Sequence, residues 1–204
     1  GQTYWAKGMA YNTLQSEGKR ILSLIQKDIR ESDLNKSERY PKPYHFVIDG
    51  KTRDAILLSI PNPNYSGKAG EHPVIFRVYF ATPDQNQAQG GTGSLFVVDF
   101  VPTSATGYDN AFNTLDSNLS NSITNGLTLN EINNIGSGPN DNPKRVKVSL
   151  LSNNLFSFSV QKTTSSFIVN TTLMRRSWGD QKLQQVSFNL EINPINTGQF
   201  PFNN

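Results

Sequence analysis

The sequence predicts an α+β fold in which one N-terminal amphipathic helix packs on antiparallel β-sheet, within a single domain spanning residues 1–204. Three observations predict it. Only one stretch, near the N-terminus, has a sustained helical period. Everything after Pro43 runs as short apolar or alternating segments divided by Gly, Pro, Asn and Asp. A chain of 204 residues also suits one domain with a single substantial core.

The helix is placed over residues 5–33. Leu14, Gly18, Ile21, Leu22, Ile25 and Ile29 follow steps of three and four and form one apolar stripe, while Lys19, Arg20, Lys27, Arg30 and Glu31 fall largely opposite. Gly8 and Gly18 each weaken the helix by about 1 kcal/mol. Polar residues followed by Pro41 and Pro43 end it. A first set of strands occupies 44–101, with runs at 44–49, 55–60, 73–81 and 94–101. A second set occupies 145–193, where Val186, Phe188, Leu190 and Ile192 alternate with Ser187, Asn189 and Glu191. This period of two, with one polar face, marks half-buried antiparallel strands. Asn153-Asn154 between two runs predicts a hairpin with a tight turn. Between the two sets, residues 102–143 read as a long surface excursion rich in Asn, Ser and Thr. Phe112, Leu115, Leu119 and Ile123 have helical spacing that allows one short helix within the excursion, although the intrinsic propensity of their neighbours argues against it.

Composition narrows the function. Asn, Ser and Thr number 23, 20 and 15, whereas charged residues make up only 17% of the chain. Twelve Phe, seven Tyr and two Trp supply apolar surface that a disordered chain lacks. With no Cys there is no disulfide, thiolate zinc site or thiol nucleophile. The net charge of +3 is dispersed along the chain and indicates no specific nucleic-acid partner.

No HExxH, GxSxG, Walker or GxGxxG motif is present. His45 falls in a strand-like run and His72 in a Gly-rich turn, neither with a local nucleophile or carboxylate partner, and Asp49, Asp54, Asp84 and Asp99 read as solvated turn residues. Asp141, between Asn140 and Asn142, offers oxygen ligands of the kind calcium takes, but one carboxylate is too few. No catalytic, cofactor-binding or metal residue is therefore assigned, and no cofactor is called for. Arg175 and Arg176 read as a basic sheet edge, and Trp178 as a contact residue in a hairpin. Four Asn-x-Ser/Thr sequons begin at Asn35, Asn64, Asn118 and Asn170, a number that so much Asn and Ser generates by chance.

Three stretches, LQSEGKRILSLIQKDIRESD (14–33), VSLLSNNLFSFSV (148–160) and VSFNLEINPIN (186–196), resemble in order and spacing the type IV pilin-like proteins, most closely the PilW-like minor pilins and J-type pseudopilins. They cover about a fifth of the chain. The resemblance implies a non-enzymatic extracytoplasmic subunit, held in the inner membrane by a hydrophobic helix upstream of Gly1, that helps assemble, initiate or cap a pilus or pseudopilus. Its partners would be other pilin-like or pseudopilin subunits, with Leu14, Ile21, Leu22 and Trp178 as partner-binding residues. Minor pilins often carry a cysteine pair, which this chain lacks, and 102–143 matches nothing in the family. Two other functions stay open. One is a secreted adhesin or carbohydrate-binding β domain using Trp178, Tyr108 or the Asn-rich region; the other is a secreted hydrolase with a dispersed carboxylate site.

Overall fold

The structure, a computed structural model, describes residues 2–32, 41–103, 107–122, 125–177 and 181–193. Helix α1 (Gln2–Glu31) is followed by β1 (Lys42–Tyr44), β2 (Val47–Ile48), β3 (Lys51–Thr52), β4 (Ala55–Pro61), β5 (Val74–Ala81) and β6 (Gly93–Val101). Helices α2 (Tyr108–Asn121) and α3 (Leu129–Asn134) come next, then β7 (Lys144–Lys162), β8 (Phe167–Arg176) and β9 (Leu183–Ile192). Seven strands form one antiparallel sheet in the order β1-β4-β5-β6-β7-β8-β9, and β2 and β3 make a separate hairpin. That hairpin turns through Asp49 and Gly50, both with positive φ, as the Asp-Gly dipeptide requires.

The predicted α+β class and the helix stripe hold. Leu14, Ile21, Ile25 and Ile29 are fully buried against Ile56, Leu58, Leu155, Val169, Leu173 and Val186 of the sheet. Burying each such side chain contributes roughly 1.5–3 kcal/mol, which accounts for a helix whose two glycines and mixed composition would not sustain it alone.

Strands β4 to β6 are covered on both faces. Ile56, Leu58, Ile75, Tyr79 and Leu95 face α1, while Leu57, Phe76, Val78, Phe80, Phe96, Val98 and Phe100 face a second cluster completed by Phe112, Leu115, Leu119 and Ile132. This explains why AILLSI and VIFRVYFA read as nearly continuous apolar runs, a pattern of strands buried on both sides.

Residues 102–143 are therefore not a bare excursion, because α2 and α3 lie within them and form the lid of the second core. The propensity argument against a helix loses to burial: Ala111, Phe112, Leu115 and Leu119 all lie inward. The polar residues of α2 stay compatible with the helix by bonding one turn back. Thr114 donates to the Asn110 carbonyl, Asn118 to that of Thr114, and Ser122 to that of Asn118. Helix α3 starts with a reciprocal capping box between Thr128 and Glu131, a T-x-x-E signal legible in the sequence.

The hairpin expected at Asn153-Asn154 is absent, since both lie inside the 19-residue strand β7 and neither has positive φ. Their side chains are engaged instead. Asn153 accepts from Ser94 Oγ at 3.0 Å, and Asn154 donates to Glu17 of α1 at 3.1 Å. Register shifts at Gly93/Leu95 and at Leu155/Ser157 bracket this site. The first half of β7 pairs with β6 and the second with β8, and the Asp54 N–H donates to the Phe158 carbonyl at 3.0 Å. The bulges bend β7 so that the sheet curls round α1.

Candidate interaction surface

Four ion and hydrogen-bond networks, three of them centred on buried side chains, hold this architecture, and they engage most of the side chains that could carry chemistry. Asp54 is fully buried and accepts from the Phe46 N–H at 3.1 Å, the Val160 N–H at 2.9 Å and His45 Nδ1 at 3.0 Å. It is not a solvated turn residue, because it joins the segment after β1 to the far half of β7. Burial pushes its carboxyl up, and the two backbone donors and His45 oppose that shift. His45 thus does have a carboxylate partner, in the geometry of an oriented base. Among the described residues no Ser, Thr or Tyr hydroxyl bonds to it, so the pair lacks a nucleophile.

Asp84 is likewise no solvated residue. It accepts from Arg53 at 2.6 Å and Lys51 at 2.8 Å. Arg53 is 1% exposed and also donates to the carbonyls of Thr82 at 2.6 Å and Phe156 at 2.9 Å. Burial raises Asp84, but the two cations outweigh it and hold the carboxyl below its ordinary value. Gly93 is required here, since a Cβ would lie 2.3 Å from Arg53 Nη1.

Asp99, also buried, grips Arg77 through a fork of 2.7 and 2.8 Å, and Arg77 reaches Asp28 of α1 at 3.0 Å. Tyr79 donates to the same Asp28 carboxylate, and burial raises its phenol. This network fastens the last turns of α1 to the sheet. In the fourth network, Asp116 of α2 accepts from Lys42 and Tyr44 of β1, both at 2.5 Å. Burial pushes Asp116 up, yet those two partners leave it below its ordinary value.

His72 is 7% exposed, with Nδ1 accepting from the Val74 N–H at 3.2 Å and its ring stacked on Tyr108. The solvated-loop reading of His72 fails for that reason. Tyr108 is engaged by this stack and donates to Ser59 Oγ at 2.9 Å. Asp141 accepts from the Gly138 N–H at 2.7 Å and closes a turn. Among the described residues no group of three or more His, Cys, Asp or Glu could hold a metal ion.

The residues expected to bind partners are dispersed. Leu14 and Ile21 are fully buried under the sheet and have no surface to offer a second chain. Leu22 is half-buried, one turn beyond Gly18 on the flank of α1 that meets Phe188 of β9. Trp178 lies outside the described residues.

Among the described residues, two surfaces bear most directly on partner binding. Strand β9 pairs only with β8 among the described residues, over ten residues without a register shift. Its solvent face carries Leu183, Gln185, Ser187, Asn189 and Glu191, with Ser187 bonded to Thr172 and Asn189 to Asn170 across the pair. The other surface is the outer side of α1, whose first turns expose Tyr4, Trp5, Met9 and Tyr11. The aromatic character of these turns is present in the sequence, but the apolar stripe beginning at Leu14 draws attention away from it.

The geometry is that of a pilin-like architecture: an N-terminal helix held by a curled antiparallel sheet. The chain matches no protein-family model, no curated protein and no solved structure. No helix among the described residues is long and apolar enough to cross a membrane.

Proposed function

We propose that this chain is a non-enzymatic, extracytoplasmic subunit of a pilin-like filament, a minor pilin or pseudopilin that takes part in its assembly, initiation or capping. The filament would be a type IV pilus, a DNA-uptake pilus or a type II secretion pseudopilus, and the partners other subunits of that kind. The observation that carries the reading is the long α1 seated in the curl of the sheet beside a regular, bulge-free edge strand, β9. An open edge of ten residues without proline pairs readily with another chain unless it is covered. Leu22 on the adjoining helix flank would border that contact.

The chain has no native Cys, so single cysteines at Leu22 and Gln185 in the full-length protein report on neighbours without background. Cross-links from both positions to pilin-like subunits in intact cells are the expected result. Cross-links to no such subunit, with the domain folded by circular dichroism, refute the reading. The reading also requires an apolar helix encoded continuously upstream of Gly1, and the gene sequence decides that point.

A second reading, a secreted carbohydrate-binding module, is favoured by one feature. A polar cleft beside α1 brings together Glu17, Arg20, Asn86, Gln89, Asn153 and Arg175, planar groups suited to sugar hydroxyls. Glycan-array binding abolished by Gln89→Ala and Arg20→Ala would select it over the filament reading.

A further inference from the structure

The outer side of α1 carries chemistry that the packing of the domain does not use. Tyr4 is 81% exposed and Trp5 65%, with Met9 and Tyr11 about half exposed. At 100° per residue these four side chains spread over about 160° of the helix circumference and about 10 Å of its axis. Tyr4 and Tyr11 occupy one flank and Trp5 and Met9 the other. Gly8 lies between them with nothing within 4 Å of where its Cβ would be. A helix that docks in a protein groove presents a single narrow stripe of anchors. This arc is too wide for that, and it lies opposite the side on which Ala6, Ala10 and Leu14 are buried.

Further along the same arc stand Lys19, Lys27 and Arg30, all exposed and with no carboxylate partner among the described residues. Residues 1–27 contain one acid, Glu17, and it is turned inward onto Ser152 at 2.8 Å. At the aromatic end, Arg175 and Arg176 of β8 line a cleft with Trp5 and Met9. The outer face of α1 thus joins Trp and Tyr, whose apolar bodies and polar tips suit the bilayer boundary, to a row of unopposed cations.

We infer that the outer face of α1 seats on the surface of an anionic lipid bilayer, with Tyr4, Trp5, Met9 and Tyr11 entering the headgroup and acyl boundary and Lys19, Lys27 and Arg30 meeting the headgroup charge. The cations supply the complementarity that selects this occupant. The inference does not depend on filament membership, because it uses the helix face turned away from the sheet and leaves the β9 edge free.

The test is co-sedimentation of the full chain with vesicles of phosphatidylcholine, with and without about a quarter phosphatidylglycerol. The wild type should sediment with the anionic vesicles, and the binding should weaken with added salt. Each basic residue near an anionic surface is worth roughly fivefold, so Lys19→Gln, Lys27→Gln and Arg30→Gln together should weaken binding roughly 100-fold. Tyr4→Ser, Trp5→Ser and Met9→Ser together should weaken it at least tenfold on the scale of apolar burial. All six side chains are exposed, so folding is expected to survive and is checked by circular dichroism. The proposal is overturned if the wild type fails to sediment with anionic vesicles, or if both triple variants bind as the wild type does. It is also overturned if light scattering without lipid shows that the aromatic residues drive a dimer while vesicle binding is absent. A wild type that fails to bind vesicles while the Leu22 and Gln185 cross-links form would sink this inference alone.

Discussion

Replacing Gly18 by Ala should destabilise the protein, although it places a better helix former in the middle of a helix. The two effects can be compared directly. Ala in place of Gly in a helix interior gains about 1 kcal/mol. Against this, a Cβ at position 18 would lie 2.0, 2.2 and 2.7 Å from Cε2, Cζ and Cδ2 of Phe188. These atoms belong to a rigid ring held between α1 and β9, so relief requires the helix to lift or the ring to leave. Overpacking of this kind costs about 1–3 kcal/mol, and expelling the ring forfeits a similar burial term. The net expectation is a loss of up to about 2 kcal/mol, or up to roughly 8 °C in Tm for a chain of this length. Urea denaturation of Gly18→Ala, Phe188→Leu and the double variant measures it. The smaller side chain should relieve the clash, giving a coupling of about 1 kcal/mol or more. Gly8→Ala is the matched control: nothing lies within 4 Å of its Cβ position, so only the propensity gain of up to about 1 kcal/mol should appear. A Gly18→Ala variant more stable than the wild type, or purely additive energies in the double variant, would refute the assignment of Gly18 as the seat of the Phe188 ring.

Arg53→Met should cost about 3 kcal/mol in equilibrium unfolding, because it strands the carbonyls of Thr82 and Phe156 and leaves Asp84 with Lys51 alone; a loss below 1 kcal/mol would contradict the network. Thr128→Ala removes half of the α3 capping box and should cost about 1 kcal/mol, whereas Thr128→Ser should be nearly neutral. Asp84 and Asp116 both sit below the ordinary carboxylate value when folded. The unfolded chain therefore binds their protons first, and the stability they contribute is complete above the ordinary Asp value of about 3.9 and lost as pH falls through the folded values. Denaturation midpoints measured between neutral pH and the acid limit should fall in that window, and Asp116→Asn should flatten the dependence; an unchanged slope would refute the pairing. Glu17→Ala removes the acceptor for Ser152 and Asn154 and should cost about 1–2 kcal/mol, with the local effect read as faster amide exchange near Asn153.

The helix and the β8–β9 half of the sheet were legible in the sequence because each buries one face only. The stripe from Leu14 to Ile29 and the alternation of Val186, Phe188, Leu190 and Ile192 are direct images of that geometry. Strands β4 to β6 were legible as strands, but their double burial was not assigned, and for that reason the second core went unseen. With no covering layer invoked over Phe76, Val78 and Phe80, the spacing of Phe112, Leu115 and Leu119 had nothing to pack against, and propensity appeared to decide. The Asn153-Asn154 hairpin failed because a dipeptide that tolerates left-handed geometry does not demand it, and here both side chains found long-range partners. Of the surface residues, Leu14 and Ile21 were misplaced for a simple reason: a stripe that is periodic enough to be recognised is the stripe that the domain itself consumes.

That rule extends to the charges. The chain is sparsely charged, and Asp28, Arg53, Asp54 and Asp99 are all buried, with Asp84 and Arg77 nearly enclosed as their partners. Each of the buried acids joins segments far apart in sequence, so the pairing that fixes the curl of the sheet is invisible to any local reading of turns. With so many carboxylates drawn inward, the outer face of α1 keeps Lys19, Lys27 and Arg30 unopposed, while the solvent face of β9 mixes Leu183, Gln185, Ser187, Asn189 and the acid Glu191. One surface is therefore basic and aromatic and the other edge-like with an exposed acid, Glu191, and these require different partners. A single kind of partner occupying both would have to match a cationic helix face and a strand edge bearing Glu191 at once. Separate loss of vesicle binding by helix substitutions and of subunit cross-links by β9 substitutions is the outcome this division demands.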